Sequence, residues 1–147
     1  MILRYLYILL VIFPLKTYAL IEVDITRGNL NPLPVAVSPL AIDKDSKEKF
    51  KKLLQKKNLG SEISVIVENN LRQSGLFNPL NKDAFLQKPD IANLKPRFED
   101  WNLIKAQALI TGKVTYVDEK LRVEFRLWDV LAGKEMMALA FTTVPSN

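Results

Sequence analysis

The chain has 147 residues, with 21 Lys and Arg against 16 Asp and Glu for a net charge of +5, and it contains neither histidine nor cysteine. Without those two residue types it cannot form a thiol nucleophile, a Ser-His-Asp triad, a haem-ligating His or a tetrahedral zinc site, and no disulfide can staple the fold. Carboxylates, lysines, tyrosines and hydroxyls are the only groups left for chemistry.

Residues 1–19 read as a cleavable secretory signal peptide. Arg4 supplies the positive start, Tyr5 to Phe13 is an unbroken apolar run, Pro14 breaks it, and Thr17-Tyr18-Ala19 places small residues at the peptidase positions. The run is about half of the ~20 apolar residues that a spanning helix needs, and Lys16 interrupts its extension. Cleavage after Ala19 removes Arg4 and Lys16, so the net charge falls from +5 to +3. The remaining residues, 20–147, are the size of one ordinary domain.

Leu20 to Thr26 alternates, with Ile21, Val23 and Ile25 on one side and Glu22, Asp24 and Thr26 on the other, the period of a half-buried or pairable strand. Freed by cleavage and tethered by Gly28 and Asn29, it could fold back on its own domain or add to the sheet edge of another protein. A permanent edge strand of its own domain is the alternative. A second strand is expected at Leu33 to Pro39, where Leu33, Val35 and Val37 share a face.

Asp43 to Asn58 carries seven lysines against Asp43, Asp45 and Glu48, with Phe50, Leu53 and Leu54 at i, i+3 and i+4, so a short surface helix is expected there. Much of the basic excess lies in this stretch, and a solvated face explains it as readily as a binding role does. The firmest helix is Glu62 to Ser74, with Ser61 as N-cap, Ile63, Ile66, Val67 and Leu71 as its apolar stripe, and Gly75 as its stop. Leu76 to Leu80 reads as a brief strand and Asn81 to Pro96 as a loop. Pro96 precedes a second short helix in which Phe98, Trp101, Ile104, Lys105 and Ala108 recur at helical spacing, with Trp101 as its core anchor.

From Ala108 the period changes to two. Ile110, Val114 and Tyr116 alternate with Thr111, Lys113 and Thr115; beyond an Asp118-Glu119-Lys120 turn, Leu121, Val123, Phe125 and Leu127 alternate with Arg122, Glu124, Arg126 and Trp128. A turn at Ala132-Gly133-Lys134 leads to a third strand, on which Met137, Leu139 and Phe141 share a face. The order implies an α+β, two-layer fold, a mostly antiparallel sheet with two or three helices on one face.

Chemical signatures are sparse. None of the five glycines opens a GxGxxG or GxxxxGK[ST] pattern. The clustered carboxylates Glu99, Asp100, Asp118 and Glu119 are the residues a glycan hydrolase would have to use, but capping and turn solvation account for them. The basic stretch holds one aromatic, Phe50, and lacks the interleaved stacking residues of a nucleic-acid binder. No cofactor, metal, small-molecule substrate or nucleic acid is expected, and a membrane is expected to be met only indirectly, through partners.

Several segments together resemble the N-terminal domain of the TolB family of the Tol-Pal envelope system. They are Pro34-Val35-Ala36-Val37-Ser38-Pro39, Ser74-Gly75-Leu76-Phe77, Pro96-Arg97-Phe98 with Trp101, Ala108-Leu109-Ile110-Thr111-Gly112-Lys113-Val114, and Arg122-Val123-Glu124-Phe125-Arg126-Leu127-Trp128-Asp129-Val130. The resemblance implies a periplasmic, non-catalytic adaptor that connects inner-membrane Tol proteins to the lipoprotein Pal during envelope constriction. It also implies that the mature N-terminal peptide, here Leu20, Ile21, Glu22, Val23, Asp24, Ile25 and Thr26, binds TolA, or docks on its own protein when Pal is bound. In the family a basic helix and a six-bladed β-propeller follow the position of Asn147, and the propeller carries the Pal contact. The lysine-rich segment reads as a surface insertion, and the last strand as one that the following helix would cover.

Overall fold

The computed structural model describes residues 31–53 and 58–144. The signal peptide expected at residues 1–19 and the strand expected at Leu20–Thr26 lie outside those residues. Strands β1 (Leu33–Val37) and β2 (Ala41–Ile42) are followed by helices α1 (Lys44–Leu53) and α2 (Leu59–Gln73), then by β3 (Phe77–Pro79) and a 3-10 turn at Lys82–Ala84. Short helices α3 (Pro89–Leu94) and α4 (Phe98–Leu103) lead into three ten-residue strands, β4 (Ala108–Val117), β5 (Lys120–Asp129) and β6 (Lys134–Thr143).

One sheet holds all six strands in the order β3-β1-β4-β5-β6, with β2 paired to β4 beyond the end of β1. The β4-β5-β6 meander supplies two long antiparallel ladders, while the short pairings of β1 with β3 and β4, and of β2 with β4, are parallel. The fold is therefore the expected mostly antiparallel α+β arrangement. The β4–β5 turn is a two-residue hairpin with Asp118 and Glu119 both at positive φ (50° and 59°), the twist that matches right-handed strands.

Register assigns the faces. Val35, Val37, Ala108 and Ile110 share one face, where Val67 and Leu71 of α2 cover them. On the same face Phe50 of α1 packs with Leu40, Val114 and Tyr116, and Leu59 and Ile63 of α2 close over this cluster. The two longer helices thus lie side by side on the sheet. Ala36 and Leu109 point the other way and pack with Trp101 of α4, Ala106 and Val130, and Trp128 flanks them. Trp101 is 1% exposed, so the tryptophan expected in the core is there. Helix α4 therefore stands behind the sheet, because β1 is apolar on both sides and needs covering on both, and α3 lies against β2 and β4.

Several boundaries differ from the sequence expectation. Helix α2 begins at Leu59 with Asn58 at its cap position, not at Ser61, and the Ser61 and Glu62 amides both donate to the Asn58 carbonyl. Gly60 allows this early start by lying directly against the backbone of Leu40, whose amide donates to the Gly60 carbonyl at 3.1 Å. Ile66, assigned to the apolar stripe, is 60% exposed, while Ile63, Val67 and Leu71 pack on the sheet. The stretch expected to be a loop from Asn81 to Pro96 contains a 3-10 turn, capped by Asn81 accepting from the Asp83 amide at 3.0 Å, and helix α3, which has Pro89 at its first position. The second short helix ends at Leu103 rather than near Ala108, and Lys105 follows at a φ of 61°.

Candidate functional site

The residues singled out for partner binding, Leu20 to Thr26, lie outside the described residues. The carboxylate candidates are kept apart. Glu99 and Asp100 occupy the first turn of α4, near the start of β4, whereas Asp118 and Glu119 form the turn at its far end. Ten extended residues separate the two ends by about 30 Å. Asp100 is also held by the Arg97 guanidinium at 2.6 Å, as a helix-start carboxylate commonly is.

A serine and a lysine do meet, unforeseen from the sequence. Lys82 Nζ donates to Ser64 Oγ at 2.9 Å, and the Ser64 hydroxyl donates to the Ser61 carbonyl at 2.8 Å. Glu68 Oε1 sits 2.9 Å from the same ammonium, charge against charge rather than along a hydrogen-bond axis. A nucleophilic serine needs a lysine that accepts its proton, but here the lysine is the donor and Ser64 is fully buried. The cluster fastens the 3-10 turn to α2.

A second buried polar pair organises the opposite face. Trp101 Nε1 donates to Gln87 Oε1 at 2.7 Å, and the Arg97 amide donates to the same oxygen at 3.0 Å. One glutamine therefore positions both the start of α4 and its aromatic anchor.

The surface best suited to a partner is apolar. Between α2 and the outer strands runs a groove of about 250 Å³ lined by Val67, Ile110, Phe125, Leu127, Met137 and Leu139. It opens onto β6, where Met137, Leu139 and Phe141 are 52%, 49% and 57% exposed and Phe125 meets Phe141 edge-on at 6.3 Å. These are the three residues whose shared face the alternation predicted. Strand β6 has β5 on one side and no paired strand on the other among the described residues, so it presents both an apolar face and a free backbone edge. Such a surface can bind a polypeptide by packing and strand addition.

The reverse side of the meander is charged. Glu124 receives the Arg122 guanidinium at 2.8 Å, a bond that, with the nearby Lys113 and Arg126 charges, outweighs partial burial and lowers its pKa. Helix α1 stands at the far end of β4. Its start is fixed by Asp43, which accepts from the Ser46 amide at 2.8 Å and the Ser46 hydroxyl at 2.7 Å, while the Tyr116 amide donates to that hydroxyl at 2.8 Å. Partial burial would raise the Asp43 pKa, but the Ser46 hydrogen bonds prevail and lower it.

Residues 21–136 match the TolB amino-terminal domain. The chain belongs to that family. Over all 147 residues it is 83% identical to the Tol-Pal system protein TolB of Pelagibacter ubique (strain HTCC1062) and spans 33% of that relative's length. Among solved structures, TolB from Acinetobacter baumannii superimposes with a TM-score of 0.53 at 18% identity, covering 78% of this chain and 23% of that one. The C-terminal domain of LpoB from Escherichia coli gives 0.54 at 9% identity, covering 80% and 87%. At these identities the two likenesses speak for the fold alone. Among the described residues no helix is long and apolar enough to cross a membrane.

Proposed function

We propose that this TolB amino-terminal domain is a non-catalytic periplasmic adaptor module of the Tol-Pal system that binds TolA through Leu20 to Thr26, supporting outer-membrane integrity and constriction at division. The observation that carries this reading is the family match, which begins at residue 21, at the head of the alternating peptide itself. The alternation of Ile21, Val23 and Ile25 against Glu22, Asp24 and Thr26 suits addition of one strand to a partner's sheet edge. Signal-peptide cleavage after Ala19 would free that strand at the mature N-terminus.

On this reading residues 20–147 form the first domain of a longer adaptor. The chain spans 33% of its 83%-identical relative, and the exposed Met137, Leu139 and Phe141 offer the apolar face that a following helix would cover. Contact with Pal is assigned to the propeller that follows in the family, not to these residues.

A pull-down on immobilised TolA tests the peptide mechanism by comparing the chain from Leu20 with one that starts at Asn29. Retention of the first and loss of the second is the expected result. Equal binding by both would remove the peptide from the mechanism, and binding would then have to run through the β6 face or edge.

A further inference from the structure

The basic excess of the chain lies in one segment, which includes helix α1. From residue 20 onward the net charge is +3, and the stretch from Asp43 to Asn58, with seven lysines and three acids, contributes +4, leaving −1 for everything else. On α1, Lys44, Lys47, Lys51 and Lys52 are exposed, and none of the four joins an ion pair among the described residues. At the helical repeat Lys44, Lys47 and Lys51 fall within about 60° of one another, a single stripe. Lys47 and Lys51 form a like-charge i,i+4 pair that Glu48, four residues after Lys44 and three before Lys51, offsets only in part, so the stripe keeps a net positive charge for an external surface to meet.

The helix is also held rigidly. Phe50 is buried against Leu40 and Val114 and meets the Tyr116 ring edge-on at 6.1 Å. The Asp43–Ser46–Tyr116 hydrogen bonds fix its first turn, and Lys49 lies over the Tyr116 ring at 5.7 Å from its centroid. The lysines outside that contact are thus presented from a fixed base.

We propose that α1 is an electrostatic docking surface for an anionic phospholipid bilayer, independent of the N-terminal strand and of TolA. The chemistry of the helix selects this partner. Its aromatic, Phe50, is buried, so it offers neither a stacking platform for nucleic-acid bases nor the exposed anchor around which protein interfaces concentrate their binding energy. From Asp43 to Asn58 every basic residue is lysine and none is arginine, giving point charges without the rigid fork that reads a defined carboxylate. Unpaired point charges on a stripe complement a diffuse layer of headgroup phosphates, attracted within a Debye length of the surface.

Flotation of the full chain with vesicles of phosphatidylglycerol and phosphatidylethanolamine, and with vesicles of phosphatidylcholine, tests the proposal. Each lysine near an anionic surface strengthens partitioning about fivefold, so replacing Lys44, Lys47, Lys51 and Lys52 together with Gln should weaken binding to the anionic vesicles by at least about a hundredfold. A second variant, with Lys88, Lys95, Lys120 and Lys134 changed to Gln, loses the same net charge from scattered exposed sites and should stay within about fivefold of the parent. Residues 1–19 are common to every sample, and binding to the phosphatidylcholine vesicles measures what their apolar run contributes without anionic lipid. Gln is close to Lys in helix propensity, so equal urea midpoints for parent and variants show that the fold is kept. Undiminished anionic binding by the α1 variant would overturn the proposal. Equal loss in both variants would also overturn it, since net charge alone would then account for binding, and so would a parent chain retained by immobilised polyglutamate but not by anionic vesicles.

Discussion

Replacement of Gly60 by alanine separates local propensity from tertiary packing. In an isolated helix the change is favourable by about 1 kcal/mol, and Gly60 lies within helix α2 with an ordinary backbone, so conformational strain does not enter. In the folded chain the new methyl would stand 2.1 Å from the Leu40 carbonyl oxygen and 3.1 Å from its carbon, both backbone atoms that no rotamer change can move. The helix start must retreat by about 1 Å, because carbon and oxygen cannot approach that closely. Overpacking of this kind costs about 1–3 kcal/mol. The Leu40 amide bond to the Gly60 carbonyl is lost with the retreat, at about 1 kcal/mol. Set against the propensity gain, the sum is a destabilisation of about 2 kcal/mol. With a urea slope of about 2 kcal/mol per molar, the midpoint of Gly60→Ala should fall by about 1 M with the slope unchanged. A midpoint equal to or above the parent's would refute the close approach of α2 to Leu40.

Substitutions at two further positions address the buried polar pair and the helix cap. Trp101→Phe keeps an aromatic ring in the core but removes the indole donor to Gln87 Oε1 and part of the buried volume, so the urea midpoint should report a loss of about 2–3 kcal/mol. Asp43→Ala removes the acceptor of the Ser46 amide and hydroxyl and should cost about 1 kcal/mol at pH 7, whereas Asp43→Asn, an equally good cap, should cost less. The folded Asp43 binds its proton less tightly than the unfolded chain does. Its contribution is therefore full above the ordinary value of 3.8 and declines as the pH falls through the lower folded value. Urea midpoints of parent and Asp43→Ala should accordingly converge in acid, and a gap that is constant from pH 7 to pH 2 would contradict this assignment.

What the sequence revealed depended on how many neighbours each segment has. The meander strands are long, and β5 is only half covered, so its period of two survives in Leu121, Val123, Phe125 and Leu127 and even the hairpin turns can be placed. Strand β2, only Ala41 and Ile42, exists because β4 offers it an edge beyond β1, and nothing in two residues announces that. The start of α2 was misplaced for a similar reason: Ser61 has the better capping chemistry, but Gly60 against Leu40 decides where the helix begins. Ile66 fits the helical stripe by spacing yet points to solvent, since a stripe of four is wider than the sheet surface that α2 covers. Of the site, the alternation of Met137, Leu139 and Phe141 was legible, whereas the groove they share with Val67 of α2 joins residues seventy positions apart in the chain and could not be read locally.

Burial falls from β1 through β4 and β5 to β6. In β1, Val35, Ala36 and Val37 are all buried, because α2 covers one side and Trp101 the other, and the run reads as continuously apolar. In β5 every interior position is half covered or exposed, and in β6 every residue is exposed although its face carries Met137, Leu139 and Phe141. A strand that kept apolar residues on one face without covering them would invite edge pairing and aggregation. The composition of β6 is consistent with a covered strand, and its covering is not supplied by the described residues. That is the reason to place at the α2–β6 groove the covering element of the longer adaptor proposed for this chain, and to test the peptide from Leu20 to Thr26 and the lysine stripe of α1 for reversible contacts.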